Sequence, residues 1–163
     1  MAVDDVGRAY LVDAVRPLHP EEQTVAEMRT IWPDRVVQSR FALDRPVACD
    51  SVRIAQLLSN LLANALTHGD PTGPVRVEAW SGGDGFGISV ANVGEPIPPE
   101  IMDHLFKPFS RASASTGQQG LGLGLYIADE IARAHEGSLR VESSEETRFI
   151  FCMPLCEPSV HQP

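Results

Sequence analysis

Gly120-Leu121-Gly122-Leu123-Gly124-Leu125 alternates three glycines with three leucines and runs into Tyr126-Ile127-Ala128, which opens an amphipathic segment. The leucines predict partial burial. The glycines predict a backbone that comes close to something or takes torsions a side chain forbids. A glycine-rich turn feeding a helix N-terminus is an anion site, because unpaired N–H groups and the helix dipole converge there. A phosphate-bearing ligand is the chemistry this predicts; a flexible loop leading into a core helix is the competing reading. A second polar group lies upstream. Arg53, Gln56, Asn60, Asn64 and Thr67 share one face of a predicted helix over 51–67. Asn costs about 0.5 kcal/mol against Ala inside a helix, and Glu or Lys would serve a merely solvated face better. Its carboxamide oxygen can hold a hard cation such as Mg²⁺ beside phosphates without adding charge. A satisfied polar network between helix and sheet is the alternative.

Bulk properties narrow the classes. The chain has 163 residues, 43% hydrophobic and 21% charged, which suits one globular domain with a real core. The net charge of -9 argues against a broad basic face for nucleic acid, though not against nucleotides held by backbone N–H groups and a metal. Lys107 is the only lysine, so a Walker-type loop is excluded. No apolar run reaches the ~20 residues of a membrane span, and the acidic start Met1-Ala2-Val3-Asp4-Asp5 lacks a signal core. The expectation is a cytoplasmic domain without membrane contact. Cys49, Cys152 and Cys156 form no metal-ligand pattern and are expected as reduced, partly buried thiols.

The elements that must position these residues follow from periodicity and turn signals. Tyr10-Leu11-Val12 reads as a short strand or as the remnant of an upstream element. Glu21-Glu22 begins a helix to Met28 or Ile31, and Val36 to Leu43 alternates as a strand. Asp50 or Ser51 offers the N-cap for the helix over 51–67, which His68-Gly69-Asp70-Pro71 ends. Strands follow over 74–80 and 86–93, joined by Gly82-Gly83-Asp84-Gly85. Pro96 to Pro99 starts a short helix over 100–105, and 112–119 is a small polar loop. A helix over 123–135 stops at Glu136-Gly137, and strands over 138–143 and 147–154 complete the sheet. This order predicts an α+β two-layer sandwich, a mixed, mostly antiparallel sheet packed on three helices.

Four segments together resemble the nucleotide-binding boxes of the ATP-binding catalytic domain of sensor histidine kinases, within the superfamily shared with gyrase, Hsp90 and MutL. Residues 50–65 are similar to the N box, Asn92-Val93-Gly94-Glu95-Pro96-Ile97-Pro98 to the first glycine box, and Leu105-Phe106-Lys107-Pro108-Phe109-Ser110-Arg111 to the F box. The run at 120–125 is similar to the second glycine box. The resemblance covers about residues 40–155 and implies a Bergerat-type ATP-binding domain over 35–155; residues 1–34 are then a remnant or lead-in, and 156–163 read as a frayed tail. Asn64 would carry the Mg²⁺, with Asn60 beside the phosphates of ATP. Gly120, Leu121, Gly122, Leu123 and Gly124 would form the phosphate wall, and Arg111 would meet the γ-phosphate. Thr67 and His68 would lie near the nucleotide, with Asn92, Gly94 and Pro96 at its adenine end. Phe106 and Phe109 are expected to anchor the lid by core packing.

The resemblance further implies a γ-phosphate donor to a histidine on a separate dimerisation hairpin of the same protein. A response regulator would be the downstream partner. The full-length protein would be a homodimer and the isolated domain a monomer. The chain departs from the pattern in two ways. Asn92 and Pro96 stand where Asp and a second glycine are usual, and with Asn64-Ala65-Leu66-Thr67-His68-Gly69 this resembles the phytochrome-type branch. No histidine of the chain has the context of a phospho-acceptor: Pro20-Glu21-Glu22 follows His19, and His104, His135 and His161 suit surface or packing roles. Two alternatives remain. One is a degenerate nucleotide-binding or docking module without turnover. The other is an anti-sigma-type serine kinase, which normally has an acidic residue at the position of Asn60 and lacks this F box.

Overall fold

The computed structural model describes residues 2–3, 9–10, 20–83, 85–109 and 122–155. The elements in chain order are β1 (Ala2–Val3), β2 (Ala9–Tyr10), α1 (Pro20–Ile31), β3 (Val37–Leu43), α2 (Ser51–His68), β4 (Val75–Gly82), β5 (Gly85–Val93), α3 (Pro99–Met102), α4 (Gly124–Ala134), β6 (Ser138–Ser143) and β7 (Glu146–Pro154). The short pair β1 and β2 is antiparallel and separate from the main sheet. Leu11 and Val12 of the expected first strand lie outside the described residues.

The main sheet has the order β3-β4-β5-β7-β6, with β3 parallel to β4 and every other pair antiparallel. A parallel pair needs a crossover connection, and α2 supplies it. The sandwich expected from the sequence is therefore the fold. α2 lies across the sheet and packs against α1 on one side and α4 on the other. Its leucines at 57, 58, 61 and 62 are fully buried, because the apolar stripe of this helix faces both the sheet and its helical neighbours. β4 alternates cleanly, with Val75, Val77 and Ala79 buried. Phe86 and Phe151 meet edge to face across the sheet interior.

α3 is shorter than the expected 100–105. After Met102 the chain tightens into bonds of three-residue spacing, from the amides of His104, Leu105 and Lys107 to the carbonyls of Ile101, Met102 and His104. Pro108 cannot continue the donor series. Phe106 packs edge-on against Phe149, in keeping with the core packing expected of it. Phe109 does not: it is 70% exposed, on a left-handed backbone with φ 59°. The expectation of core packing is therefore corrected for Phe109, which the turn carries away from the core.

Candidate functional site

α2 begins at a true N-cap: Asp50 Oδ1 accepts from the Arg53 amide at 3.1 Å. Two turns on, Asn60 sits half-buried in the polar stripe. Its Nδ2 is buried and has no hydrogen-bond partner among the described residues. A buried amide donor without an acceptor is costly, about 1–3 kcal/mol, and such an atom invites a ligand oxygen. What faces Asn60 is the start of α4. A Cβ added to Gly124 would lie 3.9 Å from the Cβ, Cγ and Oδ1 of Asn60. α4 has Leu123 at its N-cap, whose side chain makes no capping bond, and Gly122 before it is left-handed, with φ 68°. The Asn60 side chain, whose Nδ2 lacks a partner among the described residues, thus lies beside the positive end of an 11-residue helix, with Oδ1 the amide atom nearest Gly124, a combination suited to phosphate oxygens.

The other end of the site is built on β5. Asn92 is buried, and its Nδ2 donates to the Val93 carbonyl at 3.3 Å. Two glycines close on it. A Cβ at Gly69 would stand 2.6 Å from the Ala65 carbonyl oxygen and 2.9 Å from Asn92 Nδ2. A Cβ at Gly94 would stand 3.6 Å from the Gly69 Cα and 3.7 Å from Asn92 Nδ2. The two loops are joined where the Asp70 amide donates to the Val93 carbonyl at 2.7 Å. Asp70 in turn anchors its own loop, accepting from both the amide and the hydroxyl of Thr72 at 2.7 Å. The Thr72 hydroxyl and amide bonds, with Arg35 a lesser contributor, hold its carboxyl below the usual carboxylate range.

Sequence reasoning missed Thr147. It stands opposite Asn92 on β7 and is buried. Its hydroxyl bonds the Ser143 hydroxyl at 2.8 Å, which accepts from the Ile97 amide at 2.9 Å. This chain of bonds ties the segment after Gly94 to the sheet. The available signal was a polar residue ending the inward series Thr147, Phe149, Phe151, Met153.

The predicted residues therefore fall into two groups that the fold brings close: Asn60 with Gly124, and Asn92 with Gly94. Asn64 and Thr67 continue the Asn60 stripe along α2 and are half-buried, and His68 at its end is exposed. Pro96 is exposed. Leu123 is half-buried at the α4 N-cap. Arg111, Gly120 and Leu121 lie outside the described residues, as does Cys156. Among the described residues no group of three or more His, Cys, Asp and Glu could hold a metal. A cation here would draw most of its ligands from phosphate, water and a carboxamide oxygen, the donor set that suits Mg²⁺. Of the described cysteines, Cys49 and Cys152 are free thiols.

Comparison with known proteins bears on the family and the fold. The family model described as histidine kinase-, DNA gyrase B-, and HSP90-like ATPase matches residues 49–157. A bacteriophytochrome of Pseudomonas aeruginosa is 37% identical over 137 residues, covering 82% of this chain and 18% of the relative. The sensor protein VanSC of Enterococcus gallinarum is 38% identical over 142 residues, covering 85% of this chain and 39% of the relative. The chain thus spans well under half the length of these relatives. The solved catalytic domain of histidine kinase ThkA superposes with a TM-score of 0.73 at 26% identity, covering 91% of this chain and 95% of that one. Family match, relatives and fold agree with one another: the chain belongs to the histidine kinase-, DNA gyrase B-, and HSP90-like ATPase family, as an ATP-binding catalytic domain of the sensor histidine kinase type.

Proposed function

We propose that this domain binds Mg·ATP between α2 and the N-terminus of α4 and presents the γ-phosphate to a histidine on a separate dimerisation hairpin of the parent protein. The observation that carries the proposal is the Asn60 side chain, its Nδ2 buried without a partner among the described residues, lying beside Gly124 at the start of α4. Mg²⁺, when bound, would neutralise phosphoryl charge, and Asn64 is the residue proposed to hold it. Asn60 donates to phosphate oxygen and, being an amide, cannot serve as a general base. Robust hydrolysis by the domain alone is therefore not expected. Arg111 is proposed to meet the γ-phosphate, and the glycines at 120, 122 and 124 to let the backbone approach it. At the other end Asn92 accepts from the adenine amino group, with Gly94 and Pro96 flanking it and Thr67 and His68 at the α2 end. Catalysis is then positioning and charge neutralisation. Residues 35–155 would form the kinase-type domain, with α1 packed on α2. The parent protein would be a homodimer, signalling to a response regulator from the cytoplasm. Among the described residues no helix is long and apolar enough to cross a membrane.

Calorimetric titration with Mg·ATP and Mg·ADP tests the reading directly. Binding in the micromolar to millimolar range is expected, and no binding of either nucleotide at millimolar concentration sinks the proposal. Asn64→Asp should change the Mg²⁺ dependence of binding more than its adenine selectivity. A second reading, a docking module without turnover, draws on the uncharged Asn92 at the adenine end. It gains if nucleotide binds but phosphate never reaches a supplied hairpin while the parent protein autophosphorylates under the same conditions.

A further inference from the structure

Arg35 lies in the turn between α1 and β3, a segment with no part in the nucleotide chemistry above. Its backbone is fixed on both sides: its amide donates to the Trp32 carbonyl at 3.1 Å, and the neighbouring Val36 carbonyl accepts from Val75 at 2.9 Å. From this anchored base its side chain reaches the far end of α2. One guanidinium nitrogen donates to the Leu66 carbonyl at 2.5 Å, the other to the Asp70 carbonyl at 3.0 Å. These two acceptors flank Gly69. The Leu66 carbonyl belongs to the last turn of α2, where the helix has no amide of its own to offer and the dipole favours a cation. Nε is buried without a partner among the described residues, so the hydrogen bonds shown for this guanidinium are the two to these carbonyls.

The consequence reaches the site through backbone contacts. Gly69 has only hydrogen where a Cβ would strike Asn92, and the Asp70 amide is bonded to Val93 beside Gly94. Asp70 has a second restraint, the Thr72 bonds to its carboxylate, but these lie within the loop and do not tie it to the helix. The link from helix end to loop across Gly69 is Arg35, together with the Gly69 amide bond to the Ala65 carbonyl at 2.9 Å. We infer that Arg35 is a positioning residue for the adenine end of the site: it clamps the carbonyls on either side of Gly69 and so holds the α2–β4 loop against Asn92 and Gly94. A bidentate planar fork suits this task and a lysine does not, since one ammonium cannot span two carbonyls in fixed geometry. The inference rests on the nucleotide reading proposed above.

The test compares Arg35→Ala and Arg35→Lys with Val25→Ala, which opens a cavity in the buried core of α1 away from the site. ADP affinity by calorimetry, melting temperature and hydrogen exchange at the Asp70 amide are measured for each. The clamp predicts that Arg35→Ala weakens ADP binding about tenfold and speeds Asp70 exchange, that Arg35→Lys falls between it and wild type, and that Val25→Ala keeps ADP affinity despite a comparable loss of melting temperature. If Arg35→Ala does not fold, the Arg35→Lys comparison carries the same test. Affinity and Asp70 exchange that follow melting temperature alone across the set overturn the inference. If wild type itself binds no ADP, the nucleotide reading fails separately. The clamp is then judged on Asp70 exchange, and unchanged exchange in the Arg35 variants overturns it too.

Discussion

An amide at position 92 would do two jobs in the proposed site that a carboxylate would divide. Its Nδ2 donates to the Val93 carbonyl, which fixes the plane of the group and leaves Oδ1 as its acceptor. Aspartate there would offer adenine a charge-assisted acceptor, roughly twice as strong as a neutral one. It would also set a carboxylate oxygen against the Val93 carbonyl, acceptor to acceptor, in a buried position. Asn92→Asp should therefore raise ADP affinity by about threefold to tenfold while lowering the melting temperature. Calorimetry and thermal unfolding on the same variant read both effects. ADP affinity that stays level or drops would mean that residue 92 does not face the adenine. Asn92 was legible from its box, because the flanking Gly94 and Pro96 mark the segment in the chain itself. Thr147 was not, because its place opposite Asn92 depends on the register of two strands distant in sequence. Arg35 was hidden for a similar reason: a turn residue gives no local sign that its side chain will reach the end of another helix.

At the scale of elements, α4 shows how a correct boundary can hide its cause. The pair Glu136-Gly137 reads as a glycine stop, with glycine supplying the left-handed residue. In the structure Glu136 takes that conformation, at φ 56°, and Gly137 follows it, its amide donating to the Ala132 carbonyl at 2.9 Å. Gly137 is required for another reason, since a Cβ there would lie 2.5 Å from the Cys152 carbonyl oxygen. The two residues thus make opposite predictions. Glu136→Gly should stabilise the domain by about 0.5–1 kcal/mol, relief of left-handed strain less the entropy cost of glycine. Gly137→Ala should destabilise it by more than about 1 kcal/mol, because backbone of β7 must move. Urea unfolding of both variants checks the signs; a loss in the first or none in the second contradicts this account of the cap. Elements with their own punctuation, α2 and the β4–β5 hairpin, were legible to within a residue or two. The parallel pairing of β3 with β4 was not, because it is decided by where α2 packs between them and not by any signal in either strand.

For the whole molecule, three helices and the lead to α2 meet at one seam. Glu21 near the start of α1 is buried, and Cys49 is buried just before the α2 N-cap. His135, after α4, accepts from the Asp50 amide through Nε2 at 3.2 Å while its Nδ1 bonds the Ile131 carbonyl at 2.8 Å. Burial pushes the Cys49 thiol from 9.0 to about 12, and the carboxylates of Glu21 and Asp50 add to the effect. The folded value lies above the unfolded one, so this group favours folding fully below pH 9, and the contribution is lost as pH rises toward about 12. The loss is on the order of 4 kcal/mol at full titration, from about three pH units at 1.36 kcal/mol each. Other groups titrate in the same range, so the informative quantity is the stability of wild type minus that of Cys49→Ala. That difference should be flat from pH 7 to about 9 and should then move steadily against wild type, because only wild type holds protonated a thiol that ionises freely once the chain unfolds. Urea unfolding at intervals through the alkaline range measures it. Parallel curves for the two proteins would show that Cys49 opens to water well before the domain unfolds, and that α1 is loosely seated on α2.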